Sequence, residues 1–241
     1  MAESLFISDL HLCEERPATV ALFETFMRQR APRAGTLYML GDIFEAWVGD
    51  DDRSAVNLTV EQHIAEVATK GVQVFFMVGN RDFLLGCAFA ERTGCEILTD
   101  PSVVDVCGTD TLLVHGDSLC TDDRAHQTYR AQAYSSEWKR AMLAKPLEER
   151  LAIARQYRQA SMAGNQLKSD SIMDVNQDTV VQVMRERKVH RLIHGHTHRP
   201  AVHDFEIDGQ PAQRIVLAQW ENQGSVLCWD HDGYHLETVR A

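Results

Sequence analysis

No apolar run in this 241-residue chain is long enough to cross a bilayer. The longest, residues 72–78, is interrupted by Gln73 and falls far below the roughly 20 residues a spanning helix needs, so any membrane contact is expected to be peripheral. The six cysteines (Cys13, Cys87, Cys95, Cys107, Cys120 and Cys228) form no CxxC pair and no compact pattern. That excludes a thiolate zinc module and a disulfide framework, and fits free thiols in a reducing compartment. A net charge of -11 gives no support to wholesale nucleic-acid binding. Linker-like tracts rich in Pro, Gly or Ser are missing, as are internal repeats, so one domain over residues 1–241 is the economical reading. The chain enters an apolar segment at Ser4-Leu5-Phe6-Ile7, which leaves no room for a signal peptide and makes the cytoplasm the expected location.

What the chain does hold is a succession of short apolar segments rich in branched residues, at 4–8, 36–40, 72–78, 111–114 and 189–193. These read as buried strands. Helical periods lie between them at 18–30, 54–70 and about 83–92, which predicts α/β architecture with functional groups at the carboxyl ends of strands. After residue 198 four strand-like segments follow, at 202–207, 214–219, 225–229 and 234–239, with turns at Asp208-Gly209 and Asp232-Gly233. They predict an antiparallel meander, hence two sheets.

Residues 122–188 do not fit the alternation and read as a helical insertion. Pro146 followed by Glu148 and Glu149 marks a helix start, Gly164 a helix end, and Asp174 with Gln177 the cap of a further helix. Standing directly after His115, this insertion is expected to form a cap over the site. Residues 122–168 carry nine Lys or Arg against five Asp or Glu, a local +4 that leaves -15 for the remainder. Such a basic segment suits an anionic partner.

Five of the strand-like segments end in residues that bind metals: Ser8-Asp9-Leu10-His11, Gly41-Asp42, Gly79-Asn80-Arg81-Asp82, His115-Gly116-Asp117 and Gly195-His196-Thr197-His198. Strand alternation would let Asp9 and His11 share one cation and His196 and His198 reach a common site. Asp42 is placed to bridge, Asn80 offers an amide oxygen, and His115 an imidazole. Carboxylate, amide and imidazole without thiolate suit Mn²⁺, Fe²⁺ or Zn²⁺. His63, His126, His190, His194, His203, His231 and His235 are read as ordinary core or surface residues. Asp82 and Asp117 are read as supports, tying the loop or orienting His115.

Taken together the five motifs resemble the calcineurin-like metallophosphoesterase superfamily. The resemblance implies a sandwich of two mixed β-sheets flanked by helices, with a dinuclear site at one edge. Asp9, His11, Asp42 and His198 would hold one ion, and Asp42, Asn80, His115 and His196 the other. Two such ions can ionise a water and clamp a phosphoryl oxygen.

Most phosphatases and nucleases of that superfamily carry His after the Asn, able to protonate a leaving oxygen; here the residue is Arg81. A guanidinium keeps its proton, so Arg81 argues for a leaving group needing none, such as a phosphate monoester released from a phosphoanhydride. The stretches at 41–51, 115–123, 163–168 and 195–200 are similar to the UDP-2,3-diacylglucosamine hydrolases of lipid A biosynthesis. That similarity runs over nearly the whole chain. It implies two Mn²⁺ per chain and attack of water on the α-phosphorus to give UMP and 2,3-diacylglucosamine 1-phosphate, with Asp42, Asn80, Arg81, His115 and His196 in the catalytic machinery. By position, substrate contacts fall on Asn80, Arg81, Asp123, Ser161, Asn165, Lys168 and His196. The family is peripheral on the cytoplasmic face of the inner membrane and binds no nucleic acid; a monomer is expected.

The insertion's Trp138, Met142, Leu143, Leu147, Leu151 and Met162 could line an acyl groove or pack the cap on the body. Its Arg124, Arg130, Lys139, Arg140, Arg155 and Arg158 would face anionic headgroups. The other reading of the same chemistry is a metal-dependent hydrolase of a soluble nucleotide pyrophosphate or phosphodiester.

Overall fold

The computed structural model describes residues 3–165 and 172–240. In chain order the elements are β1 (Ser4–Ile7), α1 (Pro17–Gln29), β2 (Thr36–Leu40), α2 (Ala55–Thr69), β3 (Gln73–Met77), α3 (Cys87–Thr93), β4 (Glu96–Leu98), β5 (Ser102–Val106), β6 (Thr109–Leu113), α4 (Arg124–Ala133), α5 (Ser136–Leu143), α6 (Leu147–Asn165), α7 (Gln177–Arg187), β7 (Arg191–His194), β8 (Ala201–Ile207), β9 (Gln210–Val216), β10 (Gly224–Asp230) and β11 (Gly233–Val239). They build one sheet in the order β11-β10-β1-β2-β3-β4 and a second in the order β5-β6-β7-β9-β8. Both are mixed. Strands β1 to β4 run parallel while β10 joins β1 antiparallel; β6, β7 and β9 run parallel with antiparallel strands at both edges.

Alternation along each strand sorts side chains into layers. On β1, Phe6 faces the gap between the sheets with Leu40, Met77, Leu113, Ile193 and Ile215. Leu5 and Ile7 turn the other way, against Leu22, Phe23 and Phe26 of α1 and Val60 and Ile64 of α2. The second sheet's outer face is covered by α7, whose Val180 and Met184 pack on Leu112, Val114 and Leu192. Parallel strands closed by helices on one face and a sheet on the other send all their carboxyl ends to the same edge, where the motif loops gather.

The structure departs from the sequence expectations in four places. The C-terminal strands are two separate hairpins, β8-β9 in one sheet and β10-β11 in the other. The chain crosses between sheets at Trp220, whose N–H donates to Asp9 O (3.1 Å) and whose carbonyl accepts from Arg16 (2.7 Å). Helix α7 is capped by Asn176, whose side chain accepts from the Thr179 N–H at 3.0 Å; the Asp174 carboxylate instead takes the Val175 N–H and Arg199. Helix α6 continues one residue past Gly164. Strands β4 and β5 were not expected, being short, with Glu96 and Asp105 breaking the apolar pattern.

Candidate metal centre

The loop after β1 extends the sheet beyond its last formal strand residue. Asp9 N donates to Gly41 O (3.1 Å), His11 N to Asp42 O (3.0 Å) and Leu12 N to Ile43 O (2.9 Å); on the second sheet Gly195 N donates to His115 O (2.8 Å). These bonds fix the motif loops against one another before any side chain is considered. Five residues in them adopt left-handed backbone: Asp9 (φ 58°), His11 (51°), Asp42 (52°), His196 (68°) and His198 (56°). Such conformations cost of order 1–3 kcal/mol each in non-glycine residues and persist only where surroundings hold them.

Two glycines are required by the packing. Gly41 has φ +87°, and a Cβ there would run into His115 Nδ1; a Cβ on Gly195 would strike Ser8 and Asp9. The motif glycines thus let the loops approach the side chains at the edge.

The loops collect two groups of ligand atoms. Asp9, His11 and His198 form one, and Asp42, His115 and His196 the other, with the ligand atoms of each group within 4.8 Å of one another. In the first, His198 Nε2 lies 3.3 Å from Asp9 Oδ1 and 3.4 Å from His11 Nε2. In the second, His115 Nε2 lies 3.1 Å from Asn80 Oδ1 and 3.6 Å from Asp42 Oδ1. His196 and His198 therefore separate into different groups, as the superfamily resemblance implies and against strand alternation. They lie in a loop of left-handed turns beyond β7, where period-two alternation does not apply. Asp9, Asp42 and His115 are buried, while His196 is half-buried and His198 exposed at the rim.

Charge in this pocket is unbalanced. Burial, with the carboxylates of Asp82 and Asp9 adding and His115 opposing, pushes Asp42 up to about 7. Burial works against charge on His115, but the carboxylates of Asp42, Asp117 and Asp9 outweigh it and raise the imidazole to about 9. Burial also opposes ionisation of Asp9, yet its bond to His198 and the surrounding imidazoles hold it below the ordinary carboxylate range. Burial, reinforced by His198 and Arg81, lowers His11 to about 3, so it presents a neutral ring.

Buried carboxylates packed this closely call for positive charge, and a divalent metal, which takes the place of the His115 proton on binding, is the partner this donor set fits. His115 is already oriented for it: Nδ1–H donates to Leu40 O at 2.9 Å, leaving Nε2 directed at Asn80 and Asp42. A further grouping of Glu3, Cys228 and His235 differs, because the Arg30 guanidinium already bonds Glu3 at 2.6 Å and lies 3.5 Å from Cys228 Sγ.

The supports differ in part from expectation. Asp82 ties the loops together, accepting from the N–H groups of Gly79 (2.6 Å) and Ile43 (2.9 Å). Asp117 does not hold His115; its carboxylate accepts from Arg130 Nε at 2.8 Å and faces His126 Nε2 at 3.7 Å. Asp123 caps α4, accepting from His126 N, and Ser161 is exposed on α6. The side chains of Asn165 and Met162 and the whole of Lys168 lie outside the described residues.

Arg81 donates its backbone N–H to Asp42 Oδ1 at 2.8 Å. Its guanidinium approaches Glu45 Oε1 at 3.8 Å, and Arg158 Nη1 reaches the same oxygen at 2.7 Å. Arg81 Nε is buried and has no acceptor among the described residues.

The Calcineurin-like phosphoesterase family pattern matches residues 4–200. The UDP-2,3-diacylglucosamine hydrolase of Xanthomonas campestris pv. campestris is 48% identical over 243 residues, covering 98% of both chains. That of Coxiella burnetii is 46% identical over 233 residues, covering 97% of this chain and 96% of its own. The chain is a calcineurin-like phosphoesterase of the UDP-2,3-diacylglucosamine hydrolase family.

Two residues of this phosphoesterase site escaped the sequence reading. Glu45 gathers Arg81, Arg158 and His11, whose Nδ1 lies 3.7 Å from Glu45 Oε2; its position three residues after Asp42 was the available signal. His126, set aside as an ordinary histidine, stacks on His196 with ring centroids 5.6 Å apart. No local pattern announces that contact. Arg130 and Lys139, expected to face lipid headgroups, are engaged inward, Arg130 with Asp117 and Asp100 and Lys139 with Phe83 O.

Proposed function

We propose that this chain hydrolyses the pyrophosphate of UDP-2,3-diacylglucosamine in lipid A biosynthesis, by water attack on the α-phosphorus, releasing UMP and 2,3-diacylglucosamine 1-phosphate. The observation that carries this reading is near-50% identity to hydrolases of that name over 98% of both chains. Asp9, His11, Asp42 and His198 would hold one ion and Asp42, Asn80, His115 and His196 a second. Manganese is our assignment, favoured by oxygen and imidazole donors without thiolate. When bound, such a pair lowers the pKa of water and withdraws charge from phosphoryl oxygens.

The chain's own groups supply the rest. Arg81 Nε is a buried donor with no acceptor among the described residues, available to a phosphoryl oxygen on the leaving side. It cannot act as an acid, and none is needed: the leaving phosphate has a second pKa near 6 and departs as an anion at neutral pH. Glu45 keeps Arg81 and Arg158 together, so two guanidiniums face the region where negative charge accumulates.

Helices α4 to α6 form the cap in this reading. They lean on the body through Tyr134 OH to Gly79 O (3.0 Å) and the stack of Phe83 on Tyr134, with centroids 5.2 Å apart. Trp138 and Met142 belong to that packing, whereas Leu143 and Tyr157 remain exposed and are suited to acyl chains. Arg124, Arg140 and Arg155 are exposed and would meet an anionic surface, which supports the reading of a protein peripheral on the cytoplasmic face of the inner membrane. No helix among the described residues is long and apolar enough to cross a membrane.

The test is Mn²⁺-dependent release of UMP from UDP-2,3-diacylglucosamine, with EDTA-treated and Asp42→Ala protein as controls. Release that requires both metal and Asp42 is the expected outcome. Metal-loaded protein that leaves this substrate intact would overturn the assignment.

A further inference from the structure

A groove of about 390 Å³ opens beside His198, lined by Pro200, Ala218, Gln219, Asn222 and Gln223. That volume lies within the roughly 300–1,000 Å³ of small-molecule sites. Every residue lining it lies at position 198 or beyond, and none belongs to α4, α5 or α6. Its loop is fastened to the metal edge from below: Trp220 N donates to Asp9 O at 3.1 Å, and the buried indole donates to Ser225 O at 2.9 Å. The carboxamides of Gln219, Asn222 and Gln223 are thus carried on an anchored turn one residue or so from a candidate metal ligand's backbone partner. No described residue partners these amides or the Glu221 carboxylate.

Resting on the substrate reading above, we propose that this groove seats the uridine half of the substrate and sets its base preference. In the substrate reading the lipid half lies where the insertion meets the site, through His126 on His196 and Tyr134 on Gly79, and the groove takes no residue from that insertion. A pyrophosphate centred on the two ligand groups then reaches this groove by sending its nucleoside outward past His198. Uracil presents an N–H between two carbonyl oxygens, and a carboxamide carries both a donor and an acceptor to meet such an edge. Pro200 and Ala218 give the ring an apolar wall. Glu221 is an acceptor for the ribose hydroxyls, as acidic residues are in other nucleotide sites.

The test measures binding of UMP, AMP and 2,3-diacylglucosamine 1-phosphate to Mn²⁺-loaded full-length protein, wild type and Gln219→Ala/Asn222→Ala. The phosphate contacts are common to both nucleotides, so the ratio of UMP to AMP affinity isolates the groove. We expect the wild type to prefer UMP and the double variant to lose about tenfold or more of that preference, with lipid-phosphate binding changed less than about twofold. Hydrogen exchange on the wild type gives a second readout, with UMP protecting residues 218–223.

An unchanged UMP preference in the variant, equal loss for UMP and the lipid phosphate, or protection confined to other segments would each overturn the groove assignment. A wild type that binds UMP here yet releases none from UDP-2,3-diacylglucosamine would overturn the substrate reading and leave the nucleotide groove standing.

Discussion

The metal edge and the helical insertion are built on opposite principles. At the edge, five left-handed residues, buried carboxylates and loop-to-loop backbone bonds leave each ligand atom little freedom. The insertion is largely exposed; Ala133, Met142 and the Phe83–Tyr134 stack anchor it in the core, and a few long side chains add polar ties to the body. Arg150 spans to Val48 O and Asp51, Arg130 to Asp117 and Asp100, Lys139 to Phe83 O, and Arg158 to Glu45. The difference teaches where each task is done. In-line chemistry needs fixed donors, so strain is concentrated there and held by the sheets. The exposed side chains of the insertion, outside that fixed edge, are where the proposed lipid contacts would be made.

Substitutions can break this contrast at either end. The largest effect is expected at the edge: Asp42→Asn keeps an acceptor for the Arg81 N–H but removes the carboxylate charge of the group it forms with His115 and His196, the charge proposed to serve both ions. Turnover should fall by about 10²–10³-fold, and bound manganese measured by elemental mass spectrometry should drop, with circular dichroism unchanged. Asp82→Ala strips the N–H groups of Gly79 and Ile43 of their buried acceptor. Chemical denaturation should show a loss of about 2–3 kcal/mol; a stability equal to wild type would mean the loops do not depend on that carboxylate.

Glu45 sits where the two regions meet. Its Oε2 faces His11 Nδ1 at 3.7 Å and through Arg158 it holds α6; a carboxylate behind a ligand ring predicts that Glu45→Ala weakens manganese binding by about tenfold in a direct titration. Normal metal affinity would assign Glu45 to the insertion alone. The smallest catalytic effect belongs to the outer surface. Arg140→Ala/Arg155→Ala should reduce binding to anionic vesicles about tenfold, while turnover of detergent-dispersed substrate changes by less than about twofold. A comparable loss of turnover would show the insertion's outer face to be part of the reaction.

The same contrast governs what could be read before folding. Strands β1, β2, β3, β6 and β7 were legible because apolar, branched runs have few alternatives, and the α/β class followed from their spacing. Residue types suited to metals stood at their ends. The conformation that aims them was hidden: Asp9, His11, Asp42, His196 and His198 adopt left-handed backbone without a glycine in place, so nothing local marks the turn. That is why His196 and His198 were paired by alternation when the structure separates them. Contacts made across long stretches of chain were equally silent, as with Arg158 on Glu45 and His126 on His196. The passage of the C-terminal segment from one sheet to the other depends on Trp220 reaching Asp9, which a run of turn residues does not encode.

The measurement closest to the central claim is hydrolysis of UDP-2,3-diacylglucosamine in ¹⁸O-water by the manganese-loaded protein, with both products examined by mass spectrometry. The account predicts a single ¹⁸O in UMP and none in 2,3-diacylglucosamine 1-phosphate, because water attacks the α-phosphorus and the lipid phosphate leaves without a proton. Label in the lipid phosphate would contradict it.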